Sequence, residues 1–229
     1  PRGWFVVAES REIDASPIGV TFFDRDFVIY RGESGNPVML DAYCKHMGTH
    51  LGKNTSAMLI VADVGGKRIE GDAIRCPYHG WRYNSEGHVD DIPYHDGPCP
   101  KSASIRSYPV VDNMGCIMMW FDEQGNDPLY PPPYLQQWDE AGWVHWNLDH
   151  LPELDIHPQE VHDNMADNRH LGPTHGAPCE YFENEIKDHV LIQRQGGPMT
   201  LYGGVMLYTT TWYTGPGVLL SKQVWGDTT

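Results

Sequence analysis

Short runs of β-branched and aromatic residues, separated by turn residues, dominate the first half of the chain. Residues 19–23, 27–30, 37–43 and 115–121 are runs of this kind, and helical periodicity is scarce between them. This spacing is typical of short strands joined by tight turns. The pattern therefore predicts an all-β domain over residues 1–125.

The pattern changes after a polar, proline-rich segment at residues 124–134. Residues 158–170 combine a proline in the first turn with acidic residues behind it, which favours a helix. Strands are predicted on both sides of this helix, at residues 143–148, 187–193, 200–211 and 218–225. Residues 126–229 are therefore predicted to form a second domain, of the α+β class.

The chain is strongly acidic, with 16 basic and 31 acidic residues and a net charge of −15. Because binding to nucleic-acid phosphates requires a basic surface, this charge argues against a nucleic-acid partner. The charge is uneven: residues 1–125 carry a net −5 and residues 126–229 a net −10. The first domain is thus the less repulsive one for an acidic redox partner.

The five cysteines are odd in number and widely spaced. This distribution argues against a disulfide framework and favours metal ligation, as expected for a cytoplasmic enzyme. The sequence has no run of 18 apolar residues, so we predict no membrane span.

Two short motifs each pair one cysteine with one histidine. Cys44 and His46 form a C-x-H motif, and Cys76 and His79 form a C-x2-H motif. In a Rieske 2Fe–2S centre, two cysteines hold one iron and two histidines hold the other, so each loop can supply one ligand to each iron. Zinc sites use the same residue types, but zinc fingers place both cysteines before both histidines. The order favours the cluster, with zinc or no metal as the alternative.

A second constellation, D-x2-H-x4-H, is formed by Asp167, His170 and His175. Non-haem Fe(II) oxygenases bind iron through two histidines and one carboxylate, which leaves positions open for dioxygen and substrate. We expect His170 to close a helix, and Gly172 and Pro173 to break it so that His175 turns back to the same metal. Asp167 would lie one turn before His170 and orient an imidazole. Taken alone, the two histidines fit ordinary surface or core positions better than a metal site.

Several segments resemble those of Rieske non-haem iron oxygenases: AYCKHMGTHLG, CPYHGWRYNSEG, DDIPY and NMADNRHLGPTHG. The resemblance covers nearly the whole chain and is greatest to the oxygenase component of 3-ketosteroid 9α-hydroxylase and its relatives. It implies a Rieske domain followed by an α+β catalytic domain of the helix-grip type. It also implies a set of cluster ligands, namely Cys44, His46, Cys76 and His79.

The same resemblance implies that His170 and His175 bind a mononuclear Fe(II). Asp167 resembles the family's catalytic bridging aspartate, which links a cluster histidine of a neighbouring subunit to an iron histidine. A homotrimer is therefore expected. The family's third iron ligand is an aspartate far downstream, whereas this chain ends 54 residues after His175. We expect that ligand to lie beyond the end of the chain, so that the catalytic domain is incomplete here.

The implied activity is that of a terminal oxygenase, which uses dioxygen to hydroxylate an apolar, polycyclic, steroid-like substrate. Electrons would come from NAD(P)H through a reductase, with or without a ferredoxin. Two other functions stay open: a Rieske electron-transfer protein without oxygenase activity, and a zinc-binding interaction module. Demethylation, desaturation and dihydroxylation are alternative reactions of the same iron site.

One feature departs from the family pattern: 29 residues separate His46 from Cys76, more than is usual. The extra length falls at residues 57–70, where residues 59–62 and a Gly-Gly pair predict a hairpin. Surface insertions cost little stability, so the cluster loops are expected to keep their geometry. The insertion is expected to alter partner docking instead.

Overall fold

The computed structural model describes residues 1–54, 56, 57, 66–142, 149, 151 and 154–226. Contacts between residues divide the chain into two compact units. One comprises Val6–Pro128, and the other comprises Leu129–Thr229 together with Pro1–Phe5. None of the described helices is long and apolar enough to cross a membrane.

The Val6–Pro128 unit is built from short strands in three small sheets, with strand orders β1-β11-β10, β2-β3-β4-β9 and β5-β6-β7-β8. A single 3-10 turn, Ser10–Glu12, follows the first strand. The strands are β1 Arg2–Glu9, β2 Ile18–Phe22, β3 Arg25–Arg31, β4 Pro37–Asp41, β5 Ile69–Glu70, β6 Ala73–Arg75, β7 Arg82–Tyr83, β8 Val89–Asp91, β9 Ser107–Tyr108, β10 Val110–Asn113 and β11 Cys116–Asp122.

The core of this unit lies directly beneath the two cysteine loops. Val28 and Tyr30 on β3 are fully buried and belong to the same apolar cluster as Cys44, Cys76 and Tyr83. Because a well-packed interior resists deformation, loops rooted in it keep a fixed separation. The core therefore positions the two cysteines relative to each other.

The Leu129–Thr229 unit contains one antiparallel meander in the order β12-β13-β14-β15. Its strands are β12 Tyr181–Lys187, β13 Val190–Met199, β14 Val205–Thr214 and β15 Val218–Trp225. Before the meander come two short helices, α1 Gln159–Ala166 and α2 Leu171–His175. The 3-10 turns of this unit are Gln136–Asp139, Asn168–His170 and Thr200–Tyr202.

The α+β class is confirmed, but several predicted boundaries are wrong. The predicted strand at 187–193 spans a turn, because Asp188 has a φ of 53° and reverses the chain between β12 and β13. The strand predicted from 200 begins at Val205, after a 3-10 turn and two glycines with positive φ. The strand predicted at 143–148 and the hairpin around 59–62 lie outside the described residues.

Candidate metal centres

The two cysteine loops have the same backbone geometry. In each loop the N–H of the glycine four positions after the cysteine donates to the cysteine carbonyl: Gly48 to Cys44 at 2.9 Å and Gly80 to Cys76 at 3.2 Å. Both glycines have a left-handed φ, of 71° and 77°, which a residue with a side chain adopts only at a cost. The chain therefore repeats one tight turn twice.

These turns direct main-chain N–H groups at sulfur. The N–H groups of the second and third residues after each cysteine donate to its Sγ. Cys44 and Cys76 are 3% and 2% exposed, and their sulfurs hydrogen-bond to each other. That hydrogen bond lowers the pKa of Cys44 to about 6 and raises the pKa of Cys76. The two sulfurs are thus adjacent and surrounded by donors that stabilise thiolates.

The two histidines of the loops are also paired. The ring centroids of His46 and His79 lie 4.7 Å apart, at 65°. Trp81 stacks on His46 at 4.7 Å and 3°, which fixes the plane of that imidazole. Within the described part of the chain, the buried Nδ1 of His46 has no hydrogen-bond partner. An unpaired buried nitrogen is costly, and a metal ion at that position would satisfy it.

The arrangement of the four side chains discriminates between zinc and a cluster. A tetrahedral zinc site needs all four donors around one point. In this structure the sulfurs of Cys44 and Cys76 pair with each other, and the rings of His46 and His79 pair with each other. A sulfur pair beside a separate imidazole pair instead suits a cluster with two irons.

Tyr83 is a further group at this site, one that sequence reasoning did not find. Its hydroxyl lies 3.1 Å from the Sγ of Cys44 and accepts a hydrogen bond of 2.9 Å from the N–H of Lys45. A thiolate bound to iron carries no hydrogen, so the hydroxyl is then the donor to sulfur. No spacing rule connects Tyr83 with the motifs, because it reaches Cys44 from the adjacent β7.

We expect Tyr83→Phe to lower the reduction potential of the cluster while the cluster is retained. Hydrogen bonds to cluster sulfurs stabilise the more negative, reduced state. A bond of about 0.5–1.5 kcal/mol corresponds to roughly 20–65 mV for one electron. A redox titration followed by visible absorption measures the shift. Tyr108→Phe is a matched control, since that hydroxyl donates to Asp41; an unchanged potential in Tyr83→Phe would contradict the assigned bond.

In the second unit, the segment that carries the other two histidines is not one helix. Helix α1 ends at Ala166, and Asp167 is extended, with φ −93° and ψ 96°. A 3-10 turn then leads to His170, and α2 carries the chain to His175. The prediction of a continuous helix closed by His170 is therefore wrong.

The position of the predicted break is also corrected. Gly172 and Pro173 lie inside α2, where a proline in the first turn needs no N–H partner. The helix ends instead at Gly176, whose φ of 64° is left-handed and whose N–H donates to the carbonyls of Leu171 and Gly172. His175 still turns back as expected: its ring centroid lies 5.4 Å from that of His170, at 74°.

Asp167 caps the 3-10 turn rather than facing His170 from one helical turn away. Its Oδ1 accepts from the N–H of Arg169 at 2.9 Å, and its Oδ2 lies 4.0 Å from Nδ1 of His170. The main-chain carbonyl of Asp167 contacts the same Nδ1. Its carboxylate is 56% exposed. It is therefore adjacent to one imidazole and open to an approaching group.

Both histidines line a cavity of about 420 Å³ between the helices and the sheet. The 18 residues that line it include no Asp, Glu, Lys or Arg. On the floor, two cross-strand rows of amides and hydroxyls occupy the middle of the sheet, and apolar residues such as Leu207 and Trp225 lie beyond them. The polar rows are Gln193–Thr211–Ser221 and Gln195–Thr209–Gln223.

The sheet floor also fixes the segment above it. Gln193 is 5% exposed, and its Nε2 donates to the carbonyl of Met165 in the last turn of α1. The final carbonyls of a helix have no partner inside the helix, so this bond satisfies one of them. The sheet thereby holds the helix end that precedes Asp167.

The fold and the two donor sets are those expected of an iron–sulfur protein with a candidate histidine pair beside a cavity. Residues 3–109 match the Rieske 2Fe-2S domain, and residues 119–228 match the 3-Ketosteroid 9alpha-hydroxylase C-terminal domain. The chain belongs to the Rieske non-haem iron oxygenases, in the group with this C-terminal domain. The cofactors of this class are a 2Fe–2S cluster and a non-haem iron.

Individual relatives agree with this assignment. The chain is 35% identical to cholesterol 7-desaturase of Bombyx mori over 77% of its own length and 36% of the relative. It is 31% identical to a 3-ketosteroid-9-alpha-monooxygenase oxygenase component of Rhodococcus rhodochrous, over 84% of the chain and 47% of the relative. The chain thus spans less than half of these relatives.

Solved structures show the same fold. Apo dicamba monooxygenase superposes with a TM-score of 0.73 and 22% identity, over 100% of this chain and 68% of that structure. NdmB of Pseudomonas putida CBB5 superposes with a TM-score of 0.62 and 16% identity, over 99% of this chain and 75% of that structure.

Proposed function

We propose that the protein is a terminal oxygenase that uses dioxygen and electrons from a reductase to hydroxylate an apolar, polycyclic, steroid-like substrate. One observation carries the proposal: the His170–His175 pair opens into an uncharged cavity in a chain that also bears the twin cluster loops. A protein that only carries electrons needs no such cavity.

The ligand roles follow from the donor geometry. Cys44 and Cys76 are proposed to hold one iron of the cluster, because their sulfurs are adjacent. His46 and His79 are proposed to hold the other, with the unpaired Nδ1 of His46 as a donor. Two more ligands are proposed for the mononuclear iron, namely His170 and His175.

The chain's own groups perform three tasks. Trp81 and the repeated turns hold the cluster ligands in place. Gln193 holds the helix end that aims His170. The cavity walls exclude water and position the substrate. When bound, the metals would supply electron storage and a binding position for dioxygen.

The cavity supports an uncharged substrate with an apolar body. A charged substrate would lose its hydration without finding a counter-ion among the residues that line the cavity. The central rows of Gln, Thr and Ser can hydrogen-bond a neutral oxygen, and the flanking apolar rows can contact rings. Relatives named as steroid monooxygenases and a cholesterol desaturase agree with a steroid-like substrate.

The partners are proposed on the same grounds. Relatives are named as the oxygenase component of a multicomponent enzyme, so a reductase, with or without a ferredoxin, would deliver electrons from NAD(P)H. The less acidic residues 1–125 are the proposed docking side for an acidic donor. We further propose a homotrimer in the cytoplasm.

Desaturation is the second candidate reaction, because one relative is named a cholesterol 7-desaturase. The test uses the full-length protein with a reductase, NADH, ¹⁸O₂ and either a 3-ketosteroid or cholesterol. A product with one ¹⁸O atom is expected for hydroxylation, and a product that has lost two hydrogens without gaining oxygen indicates desaturation. If neither product forms in a protein loaded with both metals, the oxygenase proposal is wrong and the electron-carrier alternative is favoured.

Asp167→Asn is expected to leave both metals bound and to slow electron arrival at the iron by roughly 10–100-fold, the usual effect of losing a group beside a metal ligand. The reason is the position of the carboxylate, 4.0 Å from Nδ1 of His170 and open to an approaching group. Reoxidation of a pre-reduced cluster, followed by stopped flow, measures the rate. Asp163→Asn, in α1, is the matched control. Normal reoxidation in Asp167→Asn would refute the bridging role.

A further inference from the structure

Arg68 lies at the C-terminal end of the insertion that separates the two cluster motifs. It is the cross-strand neighbour of Arg75, whose N–H donates to the Arg68 carbonyl at 2.8 Å. Arg75 immediately precedes Cys76. The C-terminal end of the insertion therefore pairs with the residue next to Cys76, a proposed cluster ligand.

The guanidinium of Arg68 connects the bases of both cluster loops. Its Nε donates to the carbonyl of Arg75 at 2.7 Å, at the start of the second loop. Its Nη2 donates to the carbonyl of Leu51 at 2.5 Å, just after the first loop. One rigid planar group thus sets the spacing between the two loops.

The partners of the Arg68 guanidinium differ from those of the neighbouring arginines. Arg75 and Arg82 form ion pairs with carboxylates, at 2.7 to 2.9 Å. Arg68 has only carbonyl partners among the described residues. Burial lowers its pKa, and the nearby thiol of Cys76 raises it. The guanidinium stays protonated, and its charge is poorly screened because it is partly removed from water.

We propose that Arg68 is a positioning residue of the Rieske centre that ties the two loops together and whose charge, paired with no carboxylate among the described residues, raises the reduction potential of the cluster. The inference rests on the proposed assignment of the cluster to these loops. An oxidised cluster with two thiolates and two neutral imidazoles carries no net charge, and one added electron leaves a single negative charge. A fixed cation close to Cys76 stabilises that reduced state over the oxidised one.

The test is a redox titration of anaerobically purified full-length holoenzyme, with dithionite as the one-electron donor and absorption as the signal. Three variants are compared with the wild type: Arg68→Gln, Arg68→Lys and Lys67→Gln. Lys67→Gln is the matched control because it also removes a positive charge. The lysine that it replaces is exposed and paired with Glu33. Only molecules that contain the cluster give the absorption signal, so incomplete cluster loading of a variant does not change its measured reduction potential.

The expected order is a wild-type potential for Lys67→Gln, a slightly lower potential for Arg68→Lys, which keeps the charge but not both loop contacts, and the lowest potential for Arg68→Gln. The expected shift is about tenfold in the reduction equilibrium, or ~59 mV for one electron. A wild-type potential in Arg68→Gln, or an equal fall in Arg68→Lys, overturns the charge role. Iron and sulfide analysis of the wild type separates this failure from that of the proposed function, because absence of a cluster there would refute the assignment itself.

Discussion

Replacing His170 with alanine is expected to abolish substrate oxidation while the cluster spectrum stays unchanged. The imidazole of His170 is one of two that open into the uncharged cavity, and without it the proposed iron site would be one ligand short. Loss of a ligand should exceed the roughly 10–100-fold effect of losing an outer group, so activity should fall by more than about 100-fold. Product formation and iron content per chain measure the effect.

The matched control for this variant is His157→Ala. His157 is exposed at the start of the same segment and accepts a hydrogen bond from the N–H of Gln159, outside the cavity lining. It should keep both the iron and the activity. An active His170→Ala protein would show that this histidine is not a ligand. Because the cluster loops belong to the other unit, an unchanged cluster spectrum shows only that this other unit is folded, so a wild-type thermal unfolding curve is also required of the variant.

Cys76→Ala is expected to lose the whole cluster, irons and sulfides together, and all activity with it. Its sulfur is buried beside that of Cys44 and accepts two main-chain N–H groups, an environment that no water or neighbouring side chain can replace. Because bound metal contributes to folding, the thermal midpoint should fall as well. Visible absorption, sulfide analysis and thermal unfolding measure these effects.

Cys99→Ala is the matched control for the cluster. Cys99 packs against the same apolar core but makes no contact of the kind seen between Cys44 and Cys76. It should retain the cluster with full sulfide content. A Cys76→Ala protein with a normal Rieske spectrum would exclude this cysteine as a ligand.

The cluster ligands were accessible to sequence reasoning because each pair sits in one short loop. A cysteine and a histidine two or three positions apart are brought together by local chain geometry alone. The tight turn of each loop requires a left-handed φ at one position, and glycine occupies it in both loops, at Gly48 and Gly80. The structure pairs Cys44 with Cys76 and His46 with His79.

The end of the helix before Asp167 was not accessible in this way. Residues 158–170 were predicted to form one helix, yet the helix stops at Ala166. The bond from Gln193 to the Met165 carbonyl comes from a strand 28 positions away. A local sequence pattern cannot indicate such a contact. The prediction that Asp167 lies one helical turn before His170 was therefore wrong, because Asp167 is extended and caps a 3-10 turn.

Tyr83 and Arg68 escaped prediction for a related reason. Each reaches the cluster loops across a pair of strands: Tyr83 from β7 and Arg68 from the residue preceding β5. Tyr83 lies within the segment CPYHGWRYNSEG, but nothing in its spacing indicates the contact with Cys44, and both contacts are defined by strand register. Strand β12 was predicted only in part because most of its residues are exposed and polar, which hides the alternation that marks a strand.

Metal and sulfide content of the full-length protein, purified without air, tests the central claim most directly. A Rieske cluster plus a mononuclear site predicts three irons and two acid-labile sulfides per chain, without zinc. Two irons with two sulfides, unchanged after Fe(II) is added back, would contradict the mononuclear site and favour an electron carrier. Zinc without sulfide would contradict the cluster, and with it the account of both sites.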